Sequence, residues 1–283
     1  VVYDGEIVYR GVFGFEDIEA SRKASLETSY HVASVTKVFT TSLAVMLHQR
    51  GVVDLDKPAK DYLPENVSLS TNSELGATIT LRQLASHTAG FPRGVPGRVQ
   101  AVEGRYELDP KQLYSHLANV KLQFDPGTDE LYSNLGMGLL GHVLELAADK
   151  PFDQLLQEMI CEPFRLERTA IQPGDGFRMA TGYRSRVPRR PETHSFRERL
   201  APSGGLVASA EDLAKFLAAQ MKPGVFSEDM LGELHAETKL SDGSLSGRTL
   251  GWSVRSRESV GRILKKNGGR NNCGAWIGFA PDL

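Results

Sequence analysis

Residues 34–50 read SVTKVFTTSLAVMLHQR, and this stretch predicts a helix that begins next to Ser34. The apolar residues that recur there at helical spacing are Val35, Val38, Phe39, Leu43, Met46 and Leu47. Gly51 follows as a stop signal, so the pattern predicts a helix from Val35 to Arg50 with one packed face. Ser34 and Lys37 stand three residues apart at its start, which turns both side chains toward the same side of the first turn.

This pairing of serine and lysine suits nucleophilic chemistry. A serine hydroxyl becomes a good nucleophile when a neighbour removes its proton, and a lysine whose pKa is lowered by burial can do so. The start of a helix also favours an oxyanion. Taken alone the pattern is weak, because on the order of one Ser-x-x-Lys is expected by chance in a chain of this length. The alternative is a solvated lysine on a helix.

Two further motifs follow in the chain. Tyr132-Ser133-Asn134 comes just before a helix predicted from Leu135, and a loop there can aim a tyrosine oxygen at Ser34. Lys266-Asn267-Gly268-Gly269 follows a strand-like run. Taken alone, the tyrosine is equally explained as a half-buried ring with a bonded hydroxyl, and the lysine as an edge-strand residue that discourages aggregation.

Strand patterns occur at both ends of the chain and helical patterns lie between them. A hairpin is predicted around Asp4-Gly5, and three strands are predicted near Val254, at 262–266 and at 275–279. The predicted helices are 81–86, 110–119, 135–148, 152–162 and 210–220. This order predicts one sheet completed by both ends, with a helical subdomain inserted.

Composition restricts the classes of function. The 283 residues carry 33 basic and 35 acidic side chains, a formal charge of -2, so no global field attracts nucleic acid or anionic lipid. A small-molecule or peptide substrate fits better. Cys161 and Cys273 have no metal-ligand spacing, which argues against zinc; they either pair or stay buried as thiols. No apolar run reaches the ~18 residues of a membrane span.

Together, Ser-x-x-Lys, Tyr-x-Asn and Lys-x-Gly in this order resemble the active-site motifs of the serine β-lactamase and penicillin-binding-protein family. That family includes class C β-lactamases, DD-carboxypeptidases and family VIII esterases. The resemblance extends over nearly the whole chain, through segments 84–92, 203–213 and 250–252.

The resemblance implies a fold and a setting. The fold is α+β and β-lactamase/transpeptidase-like, with an antiparallel sheet flanked by helices and a mainly helical second lobe. Residues 1–283 then form a single catalytic domain, whose sheet lobe comes from about 1–33 and 246–283. Relatives extend further at both ends, so we expect a truncated chain. No metal or organic cofactor is implied, and the implied location is periplasmic or extracellular.

The resemblance also implies roles for individual residues. Ser34 is the acylated nucleophile, Lys37 its proton partner and Tyr132 a base whose phenolate the two lysines stabilise. Lys266 sets the electrostatics and attracts a substrate carboxylate. The remaining substrate-binding positions are Asn134, which bonds Lys37 and a substrate carbonyl, Asn267, Gly268, and Gly269, whose N–H completes an oxyanion hole with that of Ser34.

Two departures from the family pattern bear on the substrate. Asn267 replaces the threonine that binds a carboxylate in many relatives, and Gly94, within Gly90–Pro96, replaces a glutamine that binds a drug side chain. We therefore expect an ester or D-Ala-D-Ala-type peptide to be preferred over a β-lactam. The alternative function is a penicillin-binding sensor or scaffold domain with little turnover. His87 is expected to be structural, and His31 is a minor candidate for a base.

Overall fold

Strands gather at the two ends of the chain and helices fill its middle, as the sequence predicts. The computed structural model describes residues 1–94, 110–183, 200–270 and 273–283. One hydrophobic cluster runs from Val32 to Phe279 and joins the helical part to the C-terminal strands. The mixture of helices and small sheets confirms the α+β class. In these four ranges, every helix is too short or too polar to cross a membrane.

Seven short strands before the C-terminal sheet form separate small ladders. They are β1 (Val2–Tyr3), β2 (Glu6–Ile7), β3 (Phe15–Asp17), β4 (Arg22–Lys23), β5 (Thr28–His31), β6 (Arg178–Met179) and β7 (Val207–Ser209). The hairpin predicted at Asp4-Gly5 is confirmed by the antiparallel pairing of β1 with β2. β3 pairs with β4, and β5 lies between β6 and β7.

The C-terminal strands form an antiparallel sheet in the order β10-β9-β8. They are β8 (Ser253–Arg257), β9 (Gly261–Arg270) and β10 (Cys273–Phe279), which confirms the three predicted strands. The prediction that both chain ends complete one sheet is wrong, because in the described part of the chain no ladder joins β1–β7 to these strands. The earlier strands are only two to four residues long, and the longest of them, β5, pairs with β6 and β7 rather than with the C-terminal sheet.

The helices follow the apolar periodicity closely. They are α1 (Thr36–Gln49), α2 (Ser73–Ala77), α3 (Leu81–Ser86), α4 (Pro110–Ala118), α5 (Asn134–Ala148), α6 (Phe152–Leu156), α7 (Ala201–Gly204), α8 (Ala210–Ala219) and α9 (Glu228–His235). The helix predicted at 152–162 divides into α6 and the π-helical turn Gln157–Cys161. Three short helices, α2, α7 and α9, escaped prediction because they contain too few turns to establish a period.

α1 lies at the centre of the molecule and is buried on all sides from Thr36 to Leu47. The prediction of one packed face is therefore wrong. Two threonines of α1 are satisfied internally: Thr40 Oγ1 donates to Pro202 O at 2.7 Å, and Thr41 Oγ1 donates to Leu250 O at 3.0 Å. Bonded hydroxyls allow a central helix to carry these threonines. The hydroxyl of Ser42, which is also buried in α1, has no hydrogen-bond partner in the described part of the chain.

α5 packs closely against the segment that contains α7. A Cβ at Gly138 would lie 2.5 Å from Leu200 Cδ2, and one at Gly141 would lie 2.1 Å from Pro202 Cγ. Real Cβ contacts are not this short, so both positions need glycine for the two segments to approach. This packing brings the backbone of Ser203 against the start of α1, where α1 and α7 are in contact.

The two cysteines are buried and are not bonded to each other. Burial raises the pKa of Cys161 to about 12, so its thiol stays protonated. This outcome matches the buried-thiol alternative and leaves no disulfide to argue for an oxidising compartment.

Candidate active site

Ser34 lies in a one-turn helix, Ala33–Val35, that leads directly into α1. Ala33 has a left-handed backbone with φ of 46°, which costs a non-glycine residue roughly 1–2 kcal/mol. Thr36 holds the turn, because its Oγ1 donates to Ala33 O at 2.6 Å and accepts from the N–H of Leu206 at 3.0 Å. The turn presents the Ser34 side chain half-buried at the helix start.

Lys37 is fully buried and reaches toward Ser34. Its Nζ lies 3.4 Å from Ser34 Oγ and donates to Asn134 Oδ1 at 2.7 Å and to Ser203 O at 2.5 Å. Three elements thus meet at one amine: α1, the start of α5 and α7. The structure brings together Ser34, Lys37 and Asn134, as the sequence predicts, and adds the Ser203 carbonyl, which had no role assigned from the sequence.

Both site lysines have lowered pKa values. Burial lowers the pKa of Lys37 well below its usual value, and the charges of Lys266 and Arg93 lower it further. Burial also lowers the pKa of Lys266 to about 7, with help from Arg248 and against the opposing charge of Glu130. Because charged amines are disfavoured in this setting, the uncharged form of Lys37, which can accept a proton, is favoured.

Tyr132 connects the nucleophile to both lysines. Its Oη donates a hydrogen bond of 2.7 Å to Ser34 Oγ, and its ring centroid lies 4.8 Å from Lys37 Nζ and 5.0 Å from Lys266 Nζ. Burial raises the pKa of Tyr132, and the hydrogen bond to Ser34 only partly offsets that rise. The resting side chain is therefore a phenol, whereas the family resemblance implied a phenolate.

The strand β9 passes directly over the turn that carries the nucleophile. A Cβ at Gly268 would lie 2.0 Å from Val32 O and 2.8 Å from the backbone nitrogen of Ser34. Only glycine permits this approach, which explains why the third motif contains glycine at this position. The contact places Gly268 of β9 beside the backbone nitrogen of Ser34.

The alternation of side chains along β9 separates two residues of the third motif. Lys266 is buried with 3% exposure, whereas Asn267 is exposed and pairs with Trp276 on the neighbouring strand. Consecutive strand residues point to opposite faces. The structure thus brings Lys266 and Gly268 to the Ser34 side of the sheet and does not bring the Asn267 side chain there.

His87 supports the loop that carries Tyr132. It is buried, its O accepts from Leu131 N–H at 3.0 Å, and its Nδ1 lies 3.3 Å from the N–H of Ser133. Burial and the nearby lysine charges lower the pKa of His87 well below its usual value, so the ring is neutral. These contacts agree with the structural role expected for His87. His31 lies in β5, where it pairs with Val207.

Two arginines that the sequence did not indicate lie beside the Tyr132 ring. Arg93 Cζ is 5.4 Å and Arg248 Cζ is 6.0 Å from the ring centroid. Arg248 donates through Nε to Glu130 Oε1 at 2.9 Å and through Nη1 to Ser253 Oγ. Arg93 lies within the Gly90–Pro96 segment, but no spacing or periodicity in the sequence predicts that either arginine contacts Tyr132.

Some expectations concern other parts of the site. Gly94 is described, but Val95 and Pro96, the end of the segment compared with the class C loop, lie outside the described residues. Within the ranges that are described, no group of three or more His, Cys, Asp or Glu side chains could hold a metal ion.

Comparison with known proteins decides the family. A family model described as Beta-lactamase matches residues 1–283. The chain belongs to the beta-lactamase family. Members of this family are serine hydrolases, and the curated relatives of this chain include proteins named as beta-lactamase, carboxypeptidase and esterase. The family expected from the three motifs is confirmed.

Individual beta-lactamase family relatives are distant. The chain is 33% identical over 151 residues to the D-alanyl-D-alanine-carboxypeptidase/endopeptidase AmpH of Escherichia coli (strain K12), covering 53% of this chain and 39% of the relative. It is 28% identical over 264 residues to the esterase EstB of Burkholderia gladioli, covering 81% of this chain and 67% of the relative. The chain thus spans between about two fifths and two thirds of these relatives.

Solved structures confirm the beta-lactamase family fold. An octameric penicillin-binding protein homologue from Pyrococcus abyssi superposes with a TM-score of 0.81 at 22% identity, covering 99% of this chain and 65% of that chain. At this identity the similarity concerns the fold alone.

Proposed function

We propose that this protein is a serine hydrolase that cleaves an ester or amide through an acyl-enzyme on Ser34. One observation carries the proposal: Ser34 Oγ accepts a hydrogen bond from Tyr132 and lies 3.4 Å from the buried amine of Lys37. A hydroxyl with a proton acceptor on one side and a proton donor on the other is prepared for both halves of acyl transfer.

In the first step, uncharged Lys37 accepts the Ser34 proton as Oγ bonds to the substrate carbonyl carbon. The direction of the Lys37 pKa supports this assignment, and the raised pKa of Tyr132 disfavours a resting phenolate as the initial base. Tyr132 then donates its proton to the leaving group as the bond to that group breaks. Lys37 returns a proton to Tyr132, so no net charge is left on the site.

The oxyanion of the tetrahedral intermediate lies between the N–H groups of Ser34 and Gly269 in this proposal. The contact of Gly268 with the Ser34 turn supports it, because it holds β9 beside the nucleophile's own N–H. Asn134 holds the Lys37 amine through its Oδ1 and is available to bond a substrate carbonyl through its amide nitrogen. Water then attacks the acyl-enzyme, and the same groups move the protons in reverse.

The candidate substrates are small esters, D-Ala-D-Ala-type peptides and β-lactams. We place esters and peptides ahead of β-lactams because Gly94 offers no side chain to an acylamino group and the Asn267 side chain lies on the far face of β9. A missing hydrogen bond of this kind costs roughly 0.5–1.5 kcal/mol.

A sensor or scaffold domain would form the acyl-enzyme and stop there. Rapid acylation with a radiolabelled penicillin or acyl ester, followed by removal of free label, measures the loss of acyl groups directly. If the protein is a hydrolase, the label is released within the turnover time and no lasting adduct remains on the protein. A stable, stoichiometric adduct formed by every acyl donor tested would favour the sensor.

A further inference from the structure

Four cationic side chains surround the Tyr132 ring. The distances from the ring centroid are 4.8 Å to Lys37 Nζ, 5.0 Å to Lys266 Nζ, 5.4 Å to Arg93 Cζ and 6.0 Å to Arg248 Cζ. The chain as a whole carries a formal charge of -2, so this is a local concentration of positive charge. A cleft lined by one sign of charge attracts ligands of the opposite sign.

Three of the four cations are occupied or enclosed. Lys37 bonds the Asn134 side chain and the Ser203 carbonyl, and Lys266 is 3% exposed. Arg248 forms an ion pair with Glu130 in which both side chains are only about one fifth exposed. These three side chains therefore act mainly on the reacting groups.

Arg93 differs from the other three. Its backbone O accepts a hydrogen bond of 2.7 Å from Asn134 N–H, which fixes the residue at the start of α5. Its side chain is exposed, and no carboxylate in the described ranges forms an ion pair with it. The guanidinium is thus held beside the Tyr132 ring, with its hydrogen-bond donors available.

We propose that Arg93 is a specificity-determining residue that binds a carboxylate on the substrate. A planar guanidinium binds a carboxylate through two parallel N–H bonds, which gives orientation as well as attraction. The inference rests on the proposed hydrolysis at Ser34 and assigns its substrate class: esters or amides that carry a negative charge near the reacting carbonyl.

Two pairs of esters test the proposal. In the first pair, p-nitrophenyl butyrate is compared with mono-p-nitrophenyl glutarate, which adds a carboxylate to the acyl side. In the second pair, phenyl acetate is compared with 4-acetoxybenzoate, which adds one to the leaving group. The variants are R93Q, R93K and, as a matched control, R50Q. Arg50 follows the last residue of α1, roughly 20 Å along that helix from Ser34.

The expected result is a loss specific to charged substrates. In at least one pair, R93Q lowers kcat/KM about 10- to 100-fold more for the anionic ester than for its neutral partner. R93K keeps part of the preference, and R50Q leaves it unchanged. The preference persists at pH 9, where an arginine is still charged but Lys266, with a pKa of about 7, is not.

Three results would overturn the role of Arg93: an equal loss for charged and neutral esters in both pairs, the same charge-specific loss in R50Q, or disappearance of the preference at pH 9. Failure of the proposed function is separate and has its own signature. If S34A hydrolysed these esters at the wild-type rate, the site at Ser34 would be wrong, and the role of Arg93 there would fall with it.

Discussion

Tyr132 Oη donates a hydrogen bond of 2.7 Å to Ser34 Oγ across a separation of 98 residues in the chain. The Tyr132 ring also lies against both site lysines, so one side chain links all three motifs. The proton path of the proposed reaction therefore passes through Tyr132.

Replacing Tyr132 by phenylalanine removes the hydroxyl and keeps the ring. We expect kcat to fall ~10²–10⁴-fold, the usual contribution of a positioned acid or base. Steady-state ester hydrolysis and circular dichroism measure activity and folding together. Tyr114→Phe is the matched control, because its hydroxyl bonds His142 rather than a site residue. Near-wild-type turnover in Tyr132→Phe would mean that the reaction does not use the Tyr132 hydroxyl and that Lys37 moves the protons without it.

Gly268 predicts a different kind of defect. Alanine there places Cβ 2.0 Å from Val32 O, so β9 must shift away from the nucleophile. We expect Gly268→Ala to lower the free energy of unfolding by ~1–3 kcal/mol and to reduce kcat/KM strongly. Gly274→Ala on the adjacent strand is the control. Its Cβ meets the nearest atom at 3.9 Å, so the free energy of unfolding measured by denaturation should change little. Equal stability of both variants would contradict the close approach of β9.

Lys266 makes stability depend on pH. The pKa of Lys266 is about 7 in the fold against 10.5 for an unperturbed lysine, so between these values the unfolded chain binds a proton that the folded chain does not. Stability therefore rises with pH across that interval, by at most roughly 5 kcal/mol. We expect Lys266→Met to raise the Tm at pH 7 and to reduce the slope of Tm between pH 7 and 9. Lys265→Met is the control and should keep the wild-type slope. An unchanged slope in Lys266→Met would show that Lys266 is not the source of the pH dependence of stability.

Gly94 predicts substrate preference. We expect kcat/KM for p-nitrophenyl butyrate to exceed that for nitrocefin. A Cβ at Gly94 meets no atom within 4 Å, so Gly94→Gln fits without strain and supplies an amide. It should improve penicillins with acylamino side chains about two- to tenfold, corresponding to one ordinary hydrogen bond. Gly94→Ala controls for the loss of glycine. A wild-type protein that prefers nitrocefin would place the chain with efficient β-lactamases.

The sequence predicted the features that local spacing controls. The three-residue interval between Ser34 and Lys37 and the apolar period of α1 follow from helix geometry, and the structure reproduces both. The joining of Tyr132 and Lys266 to that helix came from family resemblance, because contacts between distant segments leave no local period.

Contacts between segments distant in the sequence could not be predicted from the apolar pattern. Thr40 and Thr41 interrupt the apolar period of α1, yet the backbone carbonyls of residues 202 and 250 accept hydrogen bonds from their hydroxyls in the core. Arg93 and Arg248 reach Tyr132 from separate parts of the chain, and no local pattern predicts either contact. Tertiary contacts of this kind depend on how segments pack, which composition and periodicity do not encode.

The acylation of Ser34 is the central claim, and peptide mass spectrometry of the quenched reaction tests it most directly. Wild-type protein is mixed with a p-nitrophenyl ester or a fluorescent penicillin, quenched within the first turnover and digested. The account predicts an acyl group on the peptide containing Ser34 in the wild type and in Ser256→Ala, an exposed serine of β8, and no adduct or turnover in Ser34→Ala. An adduct on another residue, or full activity in Ser34→Ala, would contradict it.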